Sequence, residues 1–160
     1  MDTNTFNNLI SQTWPDLHVA STLGGGTFGT VYACTKTDAV TGVTQKEAVK
    51  VVRVDFTPED RANAEEEGIP FADYYRAVKE KRLQEIRWMV ALKSPHIVHI
   101  NGYTAIEEPD HSALYILIRM DCLTALDQLR PAHLDDTPEQ AAALAEKVAL
   151  DICDALRVCH

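Results

Sequence analysis

The sequence has no run of about 18 apolar residues, the length a helix needs to cross a bilayer, so no membrane span is predicted. It has no lysine and arginine cluster either. Fifteen basic residues stand against 24 acidic ones, a net charge of −9 with neutral histidines. Binding nucleic acid by phosphate neutralisation needs the opposite balance, so that class of partner is excluded. The opening, MDTNTFNNLISQTW, lacks the basic start and apolar run of a secretory signal, which predicts a cytoplasmic protein. There is no CxxC pair. Cys34, Cys122, Cys153 and Cys159 are scattered, and the simplest expectation is four reduced core thiols and no metal site. No internal repeat and no low-complexity tract occurs.

What remains is an ordinary globular balance, 46% apolar and 24% charged over 160 residues, enough for one domain or two small lobes. Residues 4–13 predict a short amphipathic helix carrying Phe6, Leu9 and Ile10, stopped by Pro15. Strand-like pieces follow at LHVASTL (17–23), at TVYAC after a glycine turn at Gly24-Gly25-Gly26, and at EAVKVVRV (47–54). Gly42 suits a hairpin turn between the last two. Thr57 as N-cap and Pro58 at the first helical position open a short helix that Gly68-Ile69-Pro70 ends.

A longer helix is expected from Phe71 to Lys93, with Tyr75, Val78, Ile86 and Met89 as its apolar stripe. HIVHINGYTA (96–105) and ALYILIRM (113–120) read as two more strands around the polar loop EEPDHS. Pro131 to Asp136 reads as a loop. Thr137-Pro138-Glu139-Gln140 then opens a last helix whose buried face would carry Leu144, Val148, Ile152, Ala155 and Cys159. Successive hairpins of this kind predict an α+β fold with a five-stranded antiparallel sheet.

Gly24-x-Gly26-x-x-Gly29 is a weak signal alone, since a tight turn needing φ > 0 would also explain it. A dinucleotide fingerprint requires a helix directly after the glycines, and Thr30-Val31-Tyr32-Ala33 is strand material instead. A Walker loop would end in Gly-Lys-Ser/Thr, and this one ends Gly29-Thr30-Val31. The remaining phosphate reading is a hairpin laid over a nucleotide, with Phe28 shielding its tip and Val31 covering the base. Alternation then places Ala48 and Lys50 on one strand face, the small residue leaving room for a purine and the cation reaching the phosphates. A lysine in an apolar strand is costly unpaired, and Glu85 on the long helix is the candidate partner.

Taken together, LGGGTFGTV (23–31), EAVK (47–50), EIRWMVALKSPHIV (85–98), LYILIRMDCLTAL (114–126) and VALDICDALRVCH (148–160) resemble the start of a eukaryotic-type protein kinase domain. The long segment from Pro58 to Ala77 resembles insertions in bacterial serine/threonine kinases. The resemblance implies an N-terminal extension (1–16), a kinase N-lobe (17–123) and the start of a C-lobe (124–160). It implies that ATP lies beneath Leu23, Gly24, Gly25, Gly26, Thr27, Phe28, Gly29 and Val31, against Ala48. Lys50 would hold the α- and β-phosphates while paired to Glu85. At an effective dielectric near 20 a contact pair of that kind is worth roughly 4 kcal/mol before desolvation.

Met89 and Ile100 fall where the family stacks apolar side chains behind the helix. The backbone that would read adenine has two possible registers. With Ile118 guarding the back pocket, Arg119 and Asp121 make the contacts; with Met120 there, they move to Asp121 and Leu123. His96 and His99 straddle a loop and a strand and take no metal role. Asp135-Asp136 reads as solvated, and Cys122 as a small half-buried thiol.

Phosphoryl transfer also needs a base and Mg²⁺ ligands, which the family carries in H-R-D-x-x-x-x-N and D-F-G strings. Neither string occurs in these residues. The expectation is therefore the ATP-binding portion of a protein serine/threonine kinase acting on protein substrates, inactive as this chain alone. Its Mg²⁺ ligands would lie beyond His160, and its final helix would be partly exposed where the rest of the lobe or a partner covers it. The alternative is a non-catalytic kinase-like binding module, either a pseudokinase or a protein that docks a partner through the same face.

Overall fold

A computed structural model of the chain describes residues 3–27, 29–125, 128 and 137–159. Phe28, Leu126, the loop holding Pro131, Asp135 and Asp136, and His160 lie outside the described residues. The elements run α1 (Thr3–Thr13), β1 (His18–Gly26), β2 (Gly29–Thr37), β3 (Thr44–Asp55), α2 (Pro58–Glu66), α3 (Phe71–Ala91), β4 (Ile100–Glu107), β5 (Ala113–Asp121) and α4 (Pro138–Cys159). The five strands form one antiparallel sheet in the order β1-β2-β3-β5-β4. The general class is the expected one, α+β around a five-stranded antiparallel sheet.

Side-chain alternation gives this sheet two different faces. On one, Tyr32, Cys34, Val49, Val51, Ala113, Tyr115 and Leu117 pack with Ile10 and Leu17, with Phe6, Leu9 and Trp14 at the edge. Phe6 sets its ring near Tyr32 and edge-on to Tyr115, with centroids 6.2 and 6.3 Å apart. Ile10 is fully buried, so α1 shares the core of the sheet. On the other face Leu114, Ile116, Ile118 and Ile100 meet Tyr75, Leu83 and Ile86 of α3, with Phe56 stacked against Tyr75.

Local chemistry accounts for the connections. Asp38 accepts hydrogen bonds from the backbone N–H groups of Val40 and Thr41, and Gly42 takes the positive φ that closes the β2–β3 turn. Thr57 caps α2 with Pro58 behind it, and Asp60 returns a bond to the Thr57 N–H, completing a capping box. Gly68 turns the chain at positive φ, and the Arg61 guanidinium lies 3.8 Å from the Phe71 ring centre while donating to the Asp110 carbonyl. Thr137 and Gln140 form the box that opens α4.

Several expectations need correcting. Gly24, Gly25 and Gly26 are not the turn: they belong to β1, and Gly26 pairs with Gly29. Only Gly29 among these four glycines has φ in the left-handed region, at 107°. The apolar stripe of α3 uses Leu83 where Met89 was expected, and Met89 stands exposed. Tyr75, Val78 and Ile86 face the sheet as expected, so only the last position of the stripe was misplaced. The helix ends at Ala91, since Leu92 is already extended, and β4 starts at Ile100 rather than at 96. No described residue of α4 is buried, so Leu144, Val148, Ile152, Ala155 and Cys159 form no buried face there. Of the cysteines only Cys34 is a core thiol; burial first, then the Glu47 carboxylate, pushes it up to about 11, while Cys153 and Cys159 are exposed.

The glycines separate into those the fold requires and those it does not. A Cβ on Gly29 would overlap the Val51 carbonyl oxygen and approach its carbon to 3.1 Å, whereas one on Gly24 or Gly26 would meet nothing within 4 Å. Gly29→Ala should cost at least about 2 kcal/mol in urea unfolding, while Gly26→Ala should stay within about 1 kcal/mol of the parent.

Candidate functional site

The β2–β3–β5 register lines up three residues across the sheet. Val31 pairs with Lys50, and Lys50 pairs with Ile118. One step along, Ala33 pairs with Ala48 and Ala48 with Met120. Because Ile118 belongs to the core under α3, alternation puts Val31, Lys50, Ala48 and Met120 on that same face. α3 covers the part of this face built from β4, β5 and the far end of β3. The part under the β1–β2 hairpin has less cover, and Val31, Ala33, Lys50 and Met120 are all partly exposed there. Ala48 is buried at the bottom of the strip. The result is an apolar shelf of Val31, Ala48 and Met120 with one ammonium group beside it.

Around this shelf the glycine hairpin supplies Gly24, Gly25, Gly26 and Gly29, with Thr27 in the turn. Leu23 lies in the bulge between Thr22 and Gly24, half exposed. Gly24 and Gly26 have open space where a side chain would be, so a group from outside could approach their backbone closely.

Lys50 and Glu85 lie on the same side of the sheet, since Glu85 adjoins the buried Ile86 of α3. They are not brought together. Glu85 pairs instead with Arg82 one turn earlier, at 3.3 Å, and Lys50 has no ion pair among the described residues. The competing cation on the same helix was visible in the sequence; which of the two wins depends on how far α3 stands from the sheet.

Two contacts fix α3 at its other end. Lys79 pairs with Glu107 of β4, and the Tyr75 ring stacks on His111 with centroids 4.4 Å apart. The Lys79 bond holds the Glu107 carboxyl below its ordinary value against the opposing effect of burial. Burial, then the Glu107 charge, pushes the Tyr75 hydroxyl up to about 12.

The residues of both expected adenine registers lie at the end of β5 and just after it. Arg119 is paired on both strand edges, with Val49 and with Gly102, so its backbone is enclosed in the sheet. Asp121 is the last paired residue, opposite Glu47, and its N–H is given to the His99 carbonyl at 3.1 Å. Its carboxylate accepts from Asn101 Nδ2, also at 3.1 Å. Among the described residues no hydrogen bond reaches the backbone from the Asp121 carbonyl through Leu123, whose side chain is 66% exposed. Arg119 and the Asp121 N–H, by contrast, are engaged within the sheet. The sequence did not point to His99 or Asn101, because their partner lies about twenty positions away with no local spacing to mark it.

Among the described residues no three His, Cys, Asp or Glu side chains gather into a group that could hold a metal ion. His96 instead sets its Nδ1 3.6 Å from Asp151 of α4. No described helix is long and apolar enough to cross a membrane. No protein-family model matches the chain, and no curated protein matches it.

The Lys79–Glu107 pair has a definite pH signature. A carboxyl whose pKa falls on folding contributes stability that is complete above its ordinary value of 4.5 and is lost as pH falls through the lower folded value. Glu107→Gln should therefore lower the urea midpoint at pH 7, and the gap to the parent should close as pH drops below 4.5.

Proposed function

We propose that this chain is the ATP-binding portion of a protein serine/threonine kinase, its fold that of a kinase N-lobe followed by the first long helix of a C-lobe. The observation that carries the reading is Lys50, a partly buried cation with no ion pair among the described residues, set beside an apolar shelf and under a glycine hairpin. A partly buried lysine with no ion pair among the described residues leaves its charge open to an anionic ligand.

The chain's residues divide the work of holding ATP. Val31, Ala48 and Met120 offer apolar surface to the base. The Asp121 carbonyl accepts and the Leu123 N–H donates at its edge. Gly24, Gly26 and Gly29 let backbone N–H groups come close to the phosphates, and Lys50 faces their charge. ATP supplies the γ-phosphoryl group that a kinase passes to a protein hydroxyl. A base and metal ligands for that transfer are not provided by the described residues, so what these residues do is bind and orient. Glu85 stands in reserve: released from Arg82 and brought toward the sheet, it would fix the Lys50 amine over the phosphates.

ATP should bind this chain weakly, and Lys50→Met should lower the affinity about tenfold or more, a loss of roughly 1.4 kcal/mol. Isothermal calorimetry against ATP measures it. Tight binding that survives the substitution would overturn both the role of Lys50 and the reading built on it.

A further inference from the structure

The best shielded charges in the described protein lie on the sheet face opposite the proposed nucleotide shelf. Arg119 holds Glu47 with two parallel hydrogen bonds, Nε to Oε2 and Nη2 to Oε1, the second at 2.8 Å. The two side chains are only 14% and 12% exposed. Asp16, in the turn between α1 and β1, approaches Arg119 Nη1 to 3.6 Å and binds Lys36 of β2 at 2.9 Å. One charge network thus ties the α1–β1 turn, β2, β3 and β5 together.

Its place in the sheet is what matters. Glu47 is the strand partner of Asp121, and Arg119 is two residues before it. The network therefore closes over the last paired rung before the backbone becomes free at the Asp121 carbonyl. From the β4 side, His99 and Asn101 hold the same residue through its N–H and its carboxylate. Elsewhere this face is held by apolar packing of Tyr32, Val49, Val51, Tyr115 and Leu117. A shielded ion pair adds little net stability over an apolar pair of the same volume, so its use at this one rung points to geometry rather than to holding the sheet together. Arg119 suits that task, since its planar fork fixes both distance and angle to a carboxylate, which lysine would not.

We propose that Arg119 is a positioning residue: through Glu47 it sets the backbone of Asp121 to Leu123 that reads the nucleotide base, and Asp16 makes its firmness depend on the docked α1 segment. The inference rests on the nucleotide reading above for its ligand and on the strand geometry for its mechanism. The phosphate end of the site, at Lys50 and the glycine hairpin, is on the other face and is not touched by the network.

Two readouts on the full chain test this, in Asp16→Asn, in Arg119→Lys and in the double variant Arg119→Met/Glu47→Leu, which keeps the site filled if single removal of a charge unfolds the protein. The first is hydrogen exchange of the Asp121 N–H, which the His99 carbonyl holds, expected to speed severalfold in all three variants. The second compares ATP with tripolyphosphate, which carries the phosphates without a base. ATP affinity should fall about threefold to tenfold in Arg119→Lys while tripolyphosphate affinity is unchanged. A purely structural role would leave exchange at Asp121 like that of the whole sheet and weaken both ligands alike, and either result overturns the proposal. Should the parent bind tripolyphosphate but show no preference for ATP, the base-reading role fails while the role of Lys50 stands. Should it bind neither ligand, the nucleotide reading fails, and with it the base-reading role. Exchange unaltered in every variant removes the positioning role whatever the ligands do.

Discussion

Strand β3 has to satisfy two environments at once, and the protein is arranged around how it does so. Val49 and Val51 turn toward α1 and its companions, while Ala48, Lys50, Val52 and Val54 turn toward the α3 face. A shift of one residue in the β3–β5 pairing would bury Lys50 under α1 and expose two valines, an exchange that no local adjustment could offset. Apolar packing on both faces, with Leu117 opposite Val51 and Ile118 opposite Lys50, holds that register. The position of the one cation on the shelf follows from the burial of its two neighbours in sequence.

Once the register is set, the helices differ in what they owe to packing. α1 contributes Ile10 to a core that includes buried residues of β2, β3 and β5, so the segment from Phe6 to Leu17 is part of the sheet's stability and of the charge network at Asp16. α3 is held by Leu83 and Ile86 in its middle and by Lys79 and Tyr75 nearer its start. α4 has no buried described residue, and its apolar Leu150, Ile152 and Leu156 remain more than half exposed. His96 on Asp151 is one of its few polar ties to the rest. Such a face is larger in apolar character than surface helices ordinarily show.

What the sequence made legible was whatever depends on near neighbours. Thr57-Pro58 announced its helix start because a cap is satisfied within three residues, and the strands around 49–54 and 113–120 announced themselves by their β-branched runs. Gly42 and Gly68 sat where turns were expected and do take positive φ. The same reasoning misplaced the hairpin turn by assuming that three glycines in a row must form it. In the fold only Gly29 is compelled, by the Val51 carbonyl of a strand twenty-two positions on, and no local pattern reveals that. Met89 and Leu83 were confused for a related reason: periodicity gives the width of a helix face, but the sheet decides which part of it is pressed inward. Of the candidate site, the residue types and their strand face could be read in advance. The bonding at the end of β5 could not, because it comes from His99 and Gly102, which lie far away in sequence.

The state of Glu85 shows how the two kinds of force divide control of the proposed site. Its pair with Arg82 is between side chains nearly half exposed, on one helix, and such pairs contribute only about 0–1 kcal/mol. Exchanging Arg82 for Lys50 is therefore electrostatically cheap, and cheaper still with phosphate charge nearby absent, since Lys50 then carries only its own desolvation. What resists the exchange is mechanical. Leu83 and Ile86 flank Glu85 and are already buried against Ile100, Ile116 and Ile118, so bringing Glu85 toward the sheet requires α3 to rotate or slide on that apolar surface. The Lys79–Glu107 tie lies about two turns away from Glu85 and would act as the pivot of such a movement rather than its barrier. In this protein, then, the charges define the two alternatives open to Glu85, and the packing beneath α3 decides between them.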